Sequence, residues 1–243
     1  MNPTLPADYL QRMSVEDPEA YRSEVLGEFR AGLAMLFDHE ALEEVRGDWR
    51  EREAGVAYRA FVDPSGGRAD AFAVAIGHSE NEIAVVDVVR GWGAPFNPAI
   101  VTGECAALLA SYGIREVEGD RYAGEWPRQE FRSNGITYTT AEKTTSENYL
   151  HLLPTVNQGA VSLPGDEPLF RELRGLERRR GTSGRDRVDH RRGHHDDRAT
   201  AVAGLVYRLR ADAQRRGSSM FDCFTGERIE ADDSRWKSVT LGV

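Results

Sequence analysis

An α/β fold, a mixed sheet flanked by helices on both faces, is what three features of the sequence predict. Three consecutive apolar, β-branched runs occupy residues 54–92, separated only by "PSGGRA" and "SEN". From residue 97 onward, stretches with helical spacing and helical stop signals alternate with short strand-like runs. A long helical pattern, apolar at Ala201, Leu205 and Val206, closes the regular part at residues 194–216. With 243 residues and a hydrophobic fraction of 40%, the chain is long enough to bury a substantial core.

Each element follows from local signals. Residues 1–53 read as a helical N-terminal linker segment: Ser14 with Glu16 and Asp17 marks a helix start, and "HEALEEVRG" is a short helix ended by Gly47. Residues 54–213 read as the main domain. Its first part, "AGVAYRAFVD", "DAFAVAIGHS" and "NEIAVVDVVRGW", forms antiparallel strands joined by tight turns. "NPAIVTGECAALLASYG" is a helix capped by Asn97, with Pro98 in its first turn and Gly113 at its stop. "IREVEGD" is a strand ending in Asp120, "EWPRQEFRSNG" a helix closed by Gly135, and "ITYTTA" a further strand. "SENYLHLLPTVNQG" and "EPLFRELRGLERRR" read as helices around the strand "AVSL", "GTSGRDRVDH" as a small hairpin, and residues 214–243 as an irregular tail. Hairpin-linked strands followed by helix, strand, helix, strand and a late helix is the element order of the ribonuclease H-like fold, a mixed sheet covered on both faces.

Several classes are excluded or disfavoured. The longest apolar stretch, "AFAVAI", is far too short to span a bilayer, so no membrane partner is expected. The N-terminus "MNPTLPADYLQRM" has neither a basic n-region nor an apolar h-region, and the expected location is cytoplasmic. Cys105 and Cys223 match no zinc spacing and read as structural thiols in a reducing interior. The only lysines, Lys143 and Lys237, follow Glu142 and Trp236, so no Walker A loop is present.

The formal charge of −9 argues against general nucleic-acid binding, but its distribution is uneven. Residues 171–192 hold nine arginines against Glu172, Glu177, Asp186 and Asp189, a local balance of +5. Such a stretch either holds a phosphate backbone or forms a solvated helix face with charge pairing, Glu177 lying near Arg174 and Arg178.

The acids have a pattern of their own. Asp63 ends the first strand, Asp120 the fourth, and Asp196-Asp197 open the late helix. Taken singly, the first two are ordinary turn residues and the last pair ordinary helix N-caps. In a ribonuclease H-like sheet, strands one and four are neighbours, and a helix crossing that edge brings its N-terminal acid to the same place. Converging carboxylates repel unless a cation sits among them, and hard oxygen donors without cysteine favour Mg²⁺ or Mn²⁺. Two such ions sharing an Asp suit phosphodiester hydrolysis.

"FVDPSGGRADAFAVAIGH", "VEGDRYAGEWPRQEF", "GAVSLPGDEPLFRELRGLERR" and "GRDRVDHRRGHHDDRATAVAGL" together resemble the nuclease domain of the phage terminase large subunit, from about Ala54 to Arg210. "DPEAYRSEVLGEF" and "LFDHEAL" resemble the segment that joins that family's ATPase to its nuclease. The resemblance implies a metal-dependent DNA endonuclease that cuts concatemeric phage DNA during packaging. It implies Asp63 as the metal-bridging acid, Asp120 as second ligand and Asp197 as third, with Asp196 beside it. His195 would orient a carboxylate or touch the scissile phosphate, unless it is a surface histidine. Arg185, Arg187, Arg191 and Arg192, around the hairpin, would contact double-stranded DNA without sequence preference. Portal protein, a small terminase subunit and a separate packaging ATPase are the implied partners, with transient residence at the procapsid portal. The absence of Walker motifs departs from the family, so the expectation is a separate nuclease subunit, a split-gene fragment or a prophage remnant, without ATP-driven translocation. The competing expectations are a ribonuclease H-like enzyme acting on Holliday junctions or RNA–DNA hybrids, and an inactive docking module.

Overall fold

The computed structural model describes residues 5–28, 33–68, 70–120, 125–180, 186–191 and 193–219. In chain order these form α1 (Ala7–Glu16), α2 (Pro18–Ala20), a π turn (Tyr21–Val25), β1 (Leu33–Met35), α3 (His39–Glu44), β2 (Arg46–Gly47) and β3 (Arg59–Asp63). Then come β4 (Phe72–Glu80), β5 (Ile83–Trp92), α4 (Pro98–Ser111), β6 (Glu116–Gly119), α5 (Trp126–Ser133) and β7 (Thr137–Thr140). The last elements are α6 (Thr145–Asn157), β8 (Val161–Pro164), α7 (Glu167–Arg174), β9 (Leu176–Arg180), β10 (Asp186–His190) and α8 (Asp197–Ser219).

A seven-stranded sheet runs in the order β2-β8-β5-β4-β3-β6-β7. β3, β4 and β5 pair antiparallel, whereas β6 joins β3, and β8 joins β5, in parallel. The β4–β5 turn places both Asn81 and Glu82 at positive φ, the requirement of a two-residue hairpin whose twist matches the strands. Strand alternation then sorts the core into two layers. Phe61, Ala73, Ala75 and Val86 pack with α6, α7 and α8; Ala60, Val62, Phe72, Val74 and Ile76 pack with α4 and α5. The sheet is therefore covered on both faces, as the fold class requires.

Three segments differ from the sequence reading. Helix α8 continues to Ser219, so residues 214–219 of the expected irregular tail are helical. "EPLFRELRGLERRR" is not one helix: α7 stops at Arg174, Gly175 is its C-cap, and Leu176–Arg180 is strand β9. Tertiary pairing overrides the helical propensity of "LERRR", because β9 lies between β1 and β10 in a three-stranded antiparallel ribbon. The helix-face pairing of Glu177 with Arg174 and Arg178 is consequently absent, and Glu177 bonds Arg179 and Arg191 instead. Nor are residues 1–53 wholly helical, since Leu33–Met35 pairs with β9 and Arg46–Gly47 with β8.

Candidate active site

The edge of the sheet where β3 and β6 end is built from backbone register. Phe61 lies opposite Glu118 and Val62 opposite Gly119, so Asp63 and Asp120 are the next residues along two parallel neighbours. The Asp120 amide donates to the Val62 carbonyl at 3.3 Å, extending the pairing by one residue. Tyr138 Oη donates to the Asp120 carbonyl at 2.9 Å and fixes that backbone. Gly119 makes this possible, because a Cβ there would stand 2.6 Å from the Tyr138 hydroxyl.

Both acids face α8. Phe61 packs on α8 at Gly204, where a Cβ would come within 2.5 Å of its ring, and Glu118 meets Arg208 of α8 at 3.3 Å. Residues two further along each strand, Asp63 and Asp120, share that face. The glycine lets α8 lie close on β3 and directs the helix start toward the strand ends.

At that start, Asp196 is the N-cap: its carbonyl accepts from Thr200 N at 2.7 Å, and Asp197 is the first helical residue. The Asp196 side chain does not cap the helix. It accepts from the buried Tyr149 hydroxyl at 2.8 Å, and that hydroxyl also meets Thr200 Oγ1 at 2.8 Å. Glu172 of α7 takes over the capping role, accepting from Ala199 N at 2.9 Å, while its other oxygen accepts from Arg198 at 3.3 Å. Asp197 is buried, and His195 is exposed with Nδ1 3.9 Å from Asp197 Oδ2.

Charge couples these groups. Desolvation first, then the like charges of Asp197, Asp120, Asp196 and Asp70, hold the Asp63 carboxyl well above the usual carboxylate range. Burial also raises Asp197, with Asp196 adding to it. Burial likewise raises Asp196, against the lowering hydrogen bond from Tyr149. Among the described residues, no three His, Cys, Asp or Glu side chains stand together closely enough to hold a metal ion. The donor chemistry nonetheless fits a hard divalent cation: the acids are carboxylates sharing one edge, and their mutual repulsion is what a cation relieves.

No protein-family model matches the chain, and no curated protein is similar to it in sequence. Solved structures are similar in fold. The large terminase nuclease of thermophilic phage G20c superposes with a TM-score of 0.59 at 20% identity, over 72% of this chain and 97% of that one. The fold is that of the phage large terminase nucleases. The large terminase of another thermophilic bacteriophage gives a TM-score of 0.67 at 13% identity, over 86% of this chain and 53% of that chain, so this chain spans about half its length. A G20c nuclease structure with bound magnesium gives 0.54 at 20% identity, over 74% of this chain and 89% of that chain.

On this terminase nuclease fold, the arginines singled out by sequence fall into different places. Arg185 and Arg192 lie outside the described residues, as does Cys223. Arg187 on β10 is 75% exposed, with only a 3.8 Å approach to Asp189. Arg191 is engaged by the buried Glu177 at 2.7 Å. Arg178 is buried between two acids, donating to Asp17 of the N-terminal segment at 2.7 Å and to Asp186 of β10 at 2.8 Å. Cys105 is buried, and burial pushes its thiol up, consistent with a structural role.

Sequence reasoning did not single out Asp70, Tyr149, Glu172 or Arg198. Asp70 read as the first residue of the second strand; here it precedes β4, and Ser65 Oγ donates to its carbonyl at 2.8 Å, closing the loop beside Asp63. The other three lie inside helical patterns, and nothing in spacing distinguishes them from core or surface positions. A separate cleft of about 450 Å³ lies at the opposite end of β3, lined by Arg59, His78 and Asp212. Its Arg59 and Asp212 are paired with each other at 2.9 Å, far from the strand ends that carry Asp63 and Asp120.

Proposed function

We propose that the chain is a divalent-metal-dependent DNA endonuclease of the terminase type. One observation carries the reading: on a terminase nuclease fold, Asp63 feels the charges of Asp197, Asp120 and Asp196 at the edge where two parallel strands end and a helix begins. Such a like-charge cluster in a half-buried site destabilises the apo-protein and persists where it has a task.

Asp63, Asp120 and Asp197 would hold Mg²⁺ or Mn²⁺, two ions in the fullest form of the proposal, with Asp196 beside them. When bound, such ions lower the pKa of water and neutralise charge developing on a phosphodiester. The chain's own contribution is positional. Tyr149 holds the Asp196 carboxylate by a hydrogen bond, while Asp197 is the first residue of the helix and the first-named like charge acting on Asp63. Glu172 caps α8 from outside, so the orientation of Asp197 does not depend on Asp196 capping its own helix. Tyr138 and Gly119 hold the backbone of Asp120. His195 stands at the exposed side of Asp197, where it would orient that carboxylate or meet a phosphate. Exposed Arg187 would add a sequence-independent backbone contact, with Arg185, Arg191 and Arg192 as the further candidates. Packaging of phage DNA, with portal, small subunit and ATPase as partners, is the proposed setting.

Purified protein incubated with supercoiled plasmid should nick and linearise it in Mn²⁺ or Mg²⁺ and not in EDTA. Asp63→Asn should abolish this cleavage in a folded protein. Equal cleavage by parent and variant would remove Asp63 from the mechanism. Absence of cleavage in either metal, on duplex, junction and RNA–DNA hybrid alike, would leave the docking-module reading.

A further inference from the structure

A cleft of about 440 Å³ opens beside Asp197, between α7 on one side and the loop after β5 on the other. Arg171, Glu172, Asp197, Arg198, His194 and Gly93 are among the residues that line it. Its volume lies within the range of small-ligand sites. We infer that this cleft binds the phosphodiester backbone next to the cleaved bond, with Arg171 and Arg198 as its cationic contacts. The inference rests on the nuclease reading above and adds a DNA contact that the basic ribbon does not supply.

The two arginines differ in a way that suits this task. Arg198 is fixed in advance. Its guanidinium lies over Gly91, where a Cβ would stand 2.8 Å from Cζ, and it donates to Glu172 at 3.3 Å. Its Nε is buried without a hydrogen-bond partner, 3.8 Å from Asp166 Oδ1. Arg171, one helical turn before Arg174, is exposed and makes no ion pair or side-chain hydrogen bond with any described residue. Arg174 by contrast bonds Glu43 at 2.8 Å and Glu167 at 2.9 Å. An unengaged guanidinium at the mouth and a preset one inside form a pair suited to a chain of phosphates, which guanidinium recognises in a bidentate, sequence-independent way.

The ribbon makes the cleft more necessary. Of its described arginines, Arg178, Arg179 and Arg191 are engaged by Asp17, Asp186 and Glu177, which leaves Arg187 with only a loose contact. Among the described side chains of the ribbon, three of the four arginines are thus matched by acids. The free charge of residues 171–192 lies partly on α7, at Arg171, beside the acid cluster.

Binding of a short DNA duplex of arbitrary sequence, measured in Ca²⁺ across a salt series, tests the assignment together with Mn²⁺-dependent nicking. Arg171→Ala should weaken binding to every sequence alike by roughly tenfold and reduce the salt slope by about 0.9. It should also raise the DNA concentration for half-maximal nicking by a similar factor. Gly93→Glu is the second variant. Its Cβ would meet nothing within 4 Å and its φ is ordinary, so it adds a negative side chain to the cleft without disturbing the fold. It should weaken binding at least as much. Unchanged affinity and slope in both variants would overturn the cleft, and metal-dependent cleavage that Asp63→Asn abolishes would then leave the nuclease reading standing. A parent protein that loses binding with Arg171→Ala but never cuts DNA keeps the cleft and overturns the nuclease reading.

Discussion

Replacing Asp63 with Asn removes a charge that the fold holds at a cost. Its carboxyl is raised by desolvation and by four like-charged neighbours, so the ionised form disfavours the folded state. In EDTA at neutral pH, Asp63→Asn should therefore melt at the same temperature as the parent or slightly higher. Adding Mg²⁺ should raise the melting temperature of the parent and not of the variant, since only a ligand of the native state stabilises. Glu172 gives a pH-dependent prediction. Burial pushes its carboxyl from 4.5 up to about 7, against the hydrogen bond from Ala199 and the charge of Arg198. The folded protein thus retains a proton between those values that the unfolded chain has lost. The associated stability is complete below pH 4.5 and disappears as pH rises through 7, by at most about 1.4 kcal/mol per pH unit. Glu172→Gln keeps an acceptor for Ala199 and has no proton to lose. Its melting temperature in EDTA should fall less than the parent's between pH 4.5 and 7, and parallel curves would refute the assignment.

Helix α8 lies on β3 through Gly204, and its first residue is Asp197. Gly204→Ala gains about 1 kcal/mol of helix propensity and forces a methyl against the fully buried Phe61 ring. The overpacking should win, with a net loss of about 1–2 kcal/mol in urea denaturation and a displaced helix start that lowers plasmid cleavage more than stability. Arg178 belongs to the same scale, because it ties three elements: β9 through its backbone, Asp186 on β10 and Asp17 between α1 and α2. Breaking a buried ion pair on one side leaves charges unmatched, at about 3–5 kcal/mol. Arg178→Gln should therefore destabilise by several kcal/mol and make the bond after the N-terminal helices more sensitive to protease. Asp17→Asn, which leaves Asp186 in place, should cost less.

Across the molecule, an acidic chain has to bring a polyanion to an acidic cluster. With a formal charge of −9, long-range attraction is absent, and binding rests on local cations and on bound metal. Arg185→Ala with Arg187→Ala should weaken binding to all sequences alike and flatten the salt slope by up to about 2. Arg191→Ala should act differently. It deprives the buried Glu177 of its 2.7 Å partner, so the loss should appear mainly in thermal stability. Neither variant should shift sequence preference. No helix among the described residues is long and apolar enough to cross a membrane.

Local signals in the sequence determined the elements that carry the acids. Period-2 runs placed Asp63 at the end of a strand, the short "IREVEGD" run placed Asp120 at the end of another, and the acid pair before "RATAVAGL" placed Asp197 at a helix start. These depend on side chains within a few residues of one another, which a linear reading sees. What packs against each acid was decided only by the tertiary structure. Tyr149 reaches Asp196 from 47 residues away, Glu172 caps Ala199 from 27, and Asp17 clamps Arg178 from 161. The same holds for "LERRR", whose helical propensity yields to strand pairing on both sides, with the nearby β10 and with β1, more than 140 residues earlier, to which no local pattern connects it. Arginines counted as one basic stretch were likewise divided by the fold into engaged and free ones. Propensity and period act along the chain; desolvation and charge act through space, and only the folded chain brings Asp197, Asp120 and Asp196 into the field of Asp63.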